Sequence, residues 1–88
     1  MKLNTFEEFI NEAKQYDISY LIDLDKEYMG KDAWNYINTK NGKCTVAEYI
    51  DAGKVWANDK MSDNSFSEEE FNDAVEYYDS FGSSNKLK

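Results

Sequence analysis

Ser67-Glu68-Glu69-Glu70-Phe71-Asn72-Asp73-Ala74-Val75-Glu76-Tyr77-Tyr78-Asp79-Ser80-Phe81 opens with a helix cap and continues at helical spacing. Ser67 followed three residues later by Glu70 is a capping box, in which side chains satisfy the free backbone donors of a first turn. Phe71, Ala74, Val75, Tyr78 and Phe81 then fall on one face at intervals of three and four, the signature of an amphipathic helix over 68–81. Phe66, just before the cap, is placed to staple onto Phe71, and Gly82 is placed to end the helix.

Working outward, the same local pattern recurs at Thr5-Phe6-Glu7-Glu8-Phe9, Asp32-Ala33-Trp34-Asn35-Tyr36 and Thr45-Val46-Ala47-Glu48-Tyr49, each with a capping residue four positions before an aromatic. Helices are expected near 6–17, where Phe6, Phe9, Ile10, Ala13 and Tyr16 are in phase, and near 46–58, where Val46, Tyr49, Ile50, Gly53 and Trp56 are. A shorter helix, capped by Asp32, is expected between Gly30 and Asn38. Ile18-Ser19-Tyr20-Leu21-Ile22-Asp23-Leu24 fits two periods. Ile18, Tyr20, Ile22 and Leu24 alternate like a strand, which would pair with the piece around Lys43, Cys44 and Thr45 after the Asn41-Gly42 turn, whereas Ile18, Leu21 and Ile22 fit a helix. The helix is the favoured reading and a short strand at 18–24 the alternative.

The expected fold is thus all-α or mostly α: a small single-domain bundle of four to five short helices over 1–82, with a frayed tail over 83–88. Connections are short and punctuated by Gly30, Asn41-Gly42 and Ser62-Asp63-Asn64-Ser65, leaving no interdomain linker. A chain of 88 residues buries only about 60% of the surface its unfolded form exposes. Aromatic residues, 16% of the sequence, must therefore thicken the core. Cys44, the lone cysteine, is expected to be a small core side chain.

Composition removes several chemistries. With no His, no Arg and no Pro, ten Lys against 18 Asp plus Glu, and a formal charge of −8, the chain lacks histidine bases, histidine metal ligands and arginine forks. Ser, Thr and Lys stand in no nucleophile motif, so no enzyme activity and no cofactor are expected. Dispersed lysines facing so many acids also argue against direct binding of nucleic acid. The absence of a leader-like or membrane-spanning apolar run points to a soluble, cytoplasmic protein.

The 22-residue repeat relating Glu48 to Glu70 invites a calcium-loop reading. In it Asp59, Asp63, Ser65 and Glu70 would be ligands of a degenerate EF-hand, but Met61 stands at the third ligand position and Asn64 at the glycine position. The charge distribution carries more. Residues 59–79 hold eight carboxylates against Lys60 alone, a net −7 of the total −8. On the helix, Glu69, Asp73 and Glu76 line the side opposite the apolar face, with Glu68 and Asp79 flanking and Tyr77 as an exposed aromatic neighbour. Four-residue steps separate charges by about 6 Å along the axis, the scale of neighbouring backbone phosphates. The helix dipole accounts for Glu68 to Glu70; it does not account for Asp73, Glu76 and Asp79, which repel one another.

This profile resembles the small acidic inhibitors of host defence carried by phages and mobile elements, including DNA mimics and anti-CRISPR proteins. The resemblance rests on whole-chain composition and the acidic helix 67–79. It implies occlusion of a nucleic-acid site on a defence nuclease in the host cytoplasm, with Glu68, Glu69, Asp73, Glu76, Tyr77 and Asp79 as the contact set on a basic protein surface. A plain adaptor or assembly subunit that uses its aromatic face is the remaining alternative, with oligomeric state left open.

Overall fold

Two short strands and two long capped helices carry the architecture of the computed structural model, which describes residues 14–39 and 41–84. Strand β1 (Gln15–Asp17) pairs antiparallel with β2 (Lys43–Thr45), in the register Gln15 with Thr45, Tyr16 with Cys44 and Asp17 with Lys43. Gly42, at φ +73°, makes the turn into β2 in a left-handed conformation that suits glycine. Its carbonyl accepts from the Ile18 amide at 2.9 Å, extending the ribbon by one bond. Asp17 and Lys43, directly opposed, form an ion pair at 3.4 Å, the favourable cross-strand arrangement.

The expectation of a helix over 6–17 is corrected at its end. Gln15–Asp17 is strand, because the ribbon offers these backbone groups partners in Lys43–Thr45. The Thr5 cap and the first turns of that expected helix lie outside the described residues. Helix α1 (Ile18–Leu24) follows at once, with Asp17 in extended conformation as its N-cap. The favoured helix over 18–24 is thus the one observed and the strand alternative is not; the strand that pairs with Lys43–Thr45 is Gln15–Asp17, just before it. A 3-10 turn (Gly30–Asp32) leads into the single-turn helix α2 (Ala33–Tyr36). Asp32 does not cap it through its side chain; instead that carboxylate accepts the indole N–H of Trp56 at 3.0 Å.

Helix α3 (Val46–Ser62) and helix α4 (Glu68–Asp79) begin at Thr45 and Ser67, each with a complete, reciprocal capping box. Every such box satisfies two backbone donors that a first turn leaves free. α3 runs one turn beyond its expected end and stops only where the polar run reaches Asp63 and Asn64, the latter at φ +68°. The amides of Ser65 and Phe66 then fold back onto the Lys60 carbonyl at 2.8 and 3.1 Å. α4 ends at Asp79 with Ser80 as C-cap, so Gly82 is not its stop; a further turn, α5 (Phe81–Ser84), follows. Residues 85–88, most of the expected frayed tail, lie outside the described residues.

The result is a mostly helical fold with a two-stranded antiparallel ribbon. Among the described residues, Ile18, Leu21, Cys44, Tyr49, Tyr78 and Phe81 are the largest fully buried side chains. Tyr49 stacks on Phe81 at 5.0 Å between ring centres, while Phe66 meets Trp56 at 5.4 Å and Tyr28 at 6.2 Å, edge to face. Burial pushes the Cys44 thiol up to about 11, helped by the nearby charge of Glu48, so Cys44 is a core group and not a thiolate at neutral pH.

α3 and α4 approach closely because of Gly53. A methyl group there would lie 2.6 Å from the ring of Tyr78, inside any van der Waals contact. Glycine within a helix costs about 0.5–1 kcal/mol relative to alanine, yet here the missing side chain is the seat of a buried ring. Gly53→Ala is therefore expected to destabilise the protein by about 1–3 kcal/mol despite alanine's better helix propensity. Urea unfolding checks this, and a variant as stable as the parent would contradict the close approach.

Candidate functional site

Asp25, immediately after α1, is the one charged side chain among the described residues that is buried, at 3% exposure. Its amide closes α1 onto the Leu21 and Ile22 carbonyls, which turns its carboxylate towards α3 and α4. The Tyr49 and Tyr78 hydroxyls donate to Oδ2 at 2.8 and 2.6 Å, and the Tyr77 hydroxyl donates to Oδ1 at 3.2 Å. The amides of Tyr28 and Gly30 lie at 3.4 Å from the same two oxygens. Tyr78 also accepts the Met29 amide at 2.7 Å, completing a network with no buried side-chain polar atom left unpaired among the described residues.

These contacts fix the state of the tyrosines. Burial, then the hydrogen bond to Asp25 and its charge, holds Tyr49 far above the ordinary tyrosine value. For Tyr78 burial and the Asp25 hydrogen bond raise it against a smaller opposing effect of the Met29 amide. Tyr77 is raised by burial, then by the charge of Asp25 and the bond to it. All three stay protonated donors through the physiological range. Asp25 is thus enclosed by donors from three chain segments, an arrangement that ties elements together and leaves no open position for a reacting group.

The acidic helix face is a separate surface. Glu68, Glu69, Asp73 and Glu76 are exposed on α4, and among the described residues none of them has an ion-pair partner. Two of the six expected contact residues change character. Asp79 is paired with Lys54 of α3 at 2.5 Å, so a cation three-dimensionally adjacent replaces the one missing at helical spacing. Tyr77 is half-buried and not an exposed flank: its ring packs on Tyr78 and Tyr28 at 5.0 and 5.2 Å, and its hydroxyl is turned to Asp25. Glu27, which the sequence reading did not single out, joins the acidic surface. With Glu70 and Asp73 it bears on Tyr28, whose hydroxyl is raised by burial first and by Asp73, Glu27 and Glu70 in turn.

The four residues of the calcium reading do not gather. Asp59 lies inside α3 and accepts the Tyr36 hydroxyl at 2.6 Å. Asp63 caps α3, and its hydrogen bonds with Ser65 hold its carboxyl below the usual range. Glu70 is bent back onto the Ser67 amide at 2.9 Å. No three His, Cys, Asp or Glu side chains among the described residues form a metal-binding group. Nor is any helix among them long and apolar enough to cross a membrane. Comparison of the chain with protein-family models, curated proteins and solved structures returned no match.

Three outcomes follow from the tyrosine network. Asp25→Ala removes the acceptor shared by three buried or half-buried hydroxyls, and at about 1–3 kcal/mol for each orphaned group should lower stability by at least about 3 kcal/mol, measured by urea denaturation. Tyr77→Phe, which gives up the longest of the three bonds, should cost least. Stability should also fall with alkali. Above a pH of about 10 the unfolded chain's tyrosines release protons that the folded chain's retain, so the unfolded state is favoured progressively. The stability these groups supply is intact below that value and is lost above it. Tyrosinate absorbance of the buried set should rise together with loss of the helical circular dichroism signal; full ionisation of a still-folded chain would refute the arrangement.

Proposed function

We propose that this chain is a non-catalytic binding domain that presents the ridge Glu69, Asp73 and Glu76 of α4 to a basic protein surface. One observation carries the reading: these carboxylates are exposed and lack a cation among the described residues, while Asp79 on the same helix has Lys54. Like charges three and four residues apart on a helix repel, each pair costing a few tenths of a kcal/mol. A partner that supplies Lys or Arg relieves that repulsion on binding, and the net charge of −8 steers the encounter over long range.

Surfaces of the required sign are those with which proteins hold nucleic acid. A regular row of anions on a rigid helix fits such a groove by competing for its phosphate-binding cations. The small acidic inhibitors of host nucleases that the composition resembles would act in this way, by covering the site without chemistry. An adaptor that docks through an aromatic face has less support, because among the described residues every ring but that of Trp34 is buried or half-buried. The large apolar side chains exposed among the described residues are Trp34 and Val55.

Glu69→Lys, Asp73→Lys and Glu76→Lys combined should leave the helical spectrum unchanged, since none of the three side chains has a hydrogen-bond or ion-pair partner among the described residues. Immobilised parent chain should retain nucleic-acid-binding proteins from a lysate at low salt and release them as salt rises or when duplex DNA is added, and the triple variant should retain none of them. Equal capture by parent and variant would sink the proposal, as would a parent complex indifferent to both salt and DNA.

A further inference from the structure

A second surface lies on the opposite side of α3. There Tyr36, Ile37, Asn38, Glu48, Asp51, Ala52 and Val55 line a groove of about 300 Å³ between α3 and the end of α2. At about 100° per residue, Glu48, Asp51 and Val55 stand about 140–160° around α3 from Gly53, the residue that receives Tyr78 of α4. The groove is therefore independent of the acidic ridge, and what it binds does not rest on the function proposed above.

Its chemistry is mixed in a particular way. Ala52 is buried, Tyr36 and Ile37 are half-buried, and Val55 is an exposed aliphatic side chain at 54%. Together they supply the apolar part of the groove lining. Beside it stand the exposed carboxylates of Glu48 and Asp51. Glu48 Oε1 accepts the Thr45 amide in the capping box, and neither carboxylate has an ion-pair partner among the described residues. Among the described residues no cation lines the groove. The hydroxyl of Tyr36 is held by Asp59 at 2.6 Å, fixing one wall.

From this charge complementarity we infer that the groove receives a lysine or arginine side chain of a partner protein, with the aliphatic stem on Ile37, Ala52 and Val55 and the cationic head beside Asp51 and Glu48. Long basic side chains are suited to such a site, since their methylenes cover apolar surface while the head stays at a wet, charged rim. A neutral apolar side chain would leave the carboxylates unanswered. A small inorganic cation would leave the apolar strip wet.

The test is an amide-resolved NMR titration of the full chain with N-acetyl-lysine N-methylamide and its arginine counterpart. The norleucine analogue serves as the uncharged control, and butane-1,4-diamine as a free polyamine. Shifts are expected at residues 36–38 and 51–55, with at least one cationic derivative binding about three-fold or more tightly than norleucine, the scale of one exposed ion pair. Asp51→Asn should abolish that advantage while leaving the norleucine response unchanged, and Val55→Ser should weaken both. Both positions are exposed, so the folded spectrum should persist. Shifts spread equally over Glu69, Asp73 and Glu76, an advantage that survives Asp51→Asn, or tighter binding of the diamine than of either amino-acid derivative would overturn the assignment.

Discussion

The carboxylate of Asp25 is the constraint around which the rest of the molecule is arranged. It lies at the end of one short helix and takes hydroxyls from Tyr49 on α3 and from Tyr77 and Tyr78 on α4. A buried acceptor of this kind is weak evidence of net stabilisation, because removing it from water costs much of what its bonds return. Its effect is one of geometry. The observed placement of α1, α3 and α4 brings all three hydroxyls within reach, and a placement that did not would leave a buried carboxylate unanswered, at several kcal/mol. The tyrosine rings supply the apolar area of a thin core and their hydroxyls supply its register.

That placement also decides which side of α4 faces water. Ala74, Tyr78 and Phe81 are consumed inside, and the approach of Gly53 to the Tyr78 ring fixes the rotation of α4 on α3. Glu69, Asp73 and Glu76 can then only point outward. Lys54, on the flank of the same contact, reaches Asp79. Core and surface meet at Tyr28, which packs on Tyr77 and stands among Glu27, Glu70 and Asp73.

What was legible in the sequence was local. The boxes at Thr45 and Ser67 are complete in the structure, because a cap and its partner are three residues apart and need no tertiary context. The mostly helical class followed from them. Tertiary contacts were not legible. Asp25 is one of eighteen acidic residues, and nothing in its neighbourhood marks it as the one bonded to groups 24, 52 and 53 positions away. The available signal was the surplus of seven tyrosines, whose hydroxyls need acceptors once buried. Gln15–Asp17 was read as helix because Tyr16 continued a helical period; pairing with a distant strand outweighed that local preference. Asp32 looked like a cap and answers an indole instead, and Tyr77 looked exposed because the helical wheel cannot show a carboxylate arriving from another segment.

The distribution of reasons along α4 argues for the outward acids. Glu68, Glu69 and Glu70 stand in its first turn, where the helix dipole favours carboxylates by about 0.3–1 kcal/mol each, and Glu70 closes the capping box. Asp79 stands at the other end, where the same dipole opposes it, and there Lys54 answers it. Both ends therefore have a local physical account. Between them Asp73 and Glu76 have none: they lie beyond the first turn, they are exposed, and no cation pairs with them among the described residues. Solubility alone would be served as well by carboxylates interleaved with lysines, an arrangement that avoids the repulsion. A continuous ridge from Glu69 through Asp73 to Glu76 keeps the repulsion in the free protein, and in the proposed complex the partner's cations would relieve it.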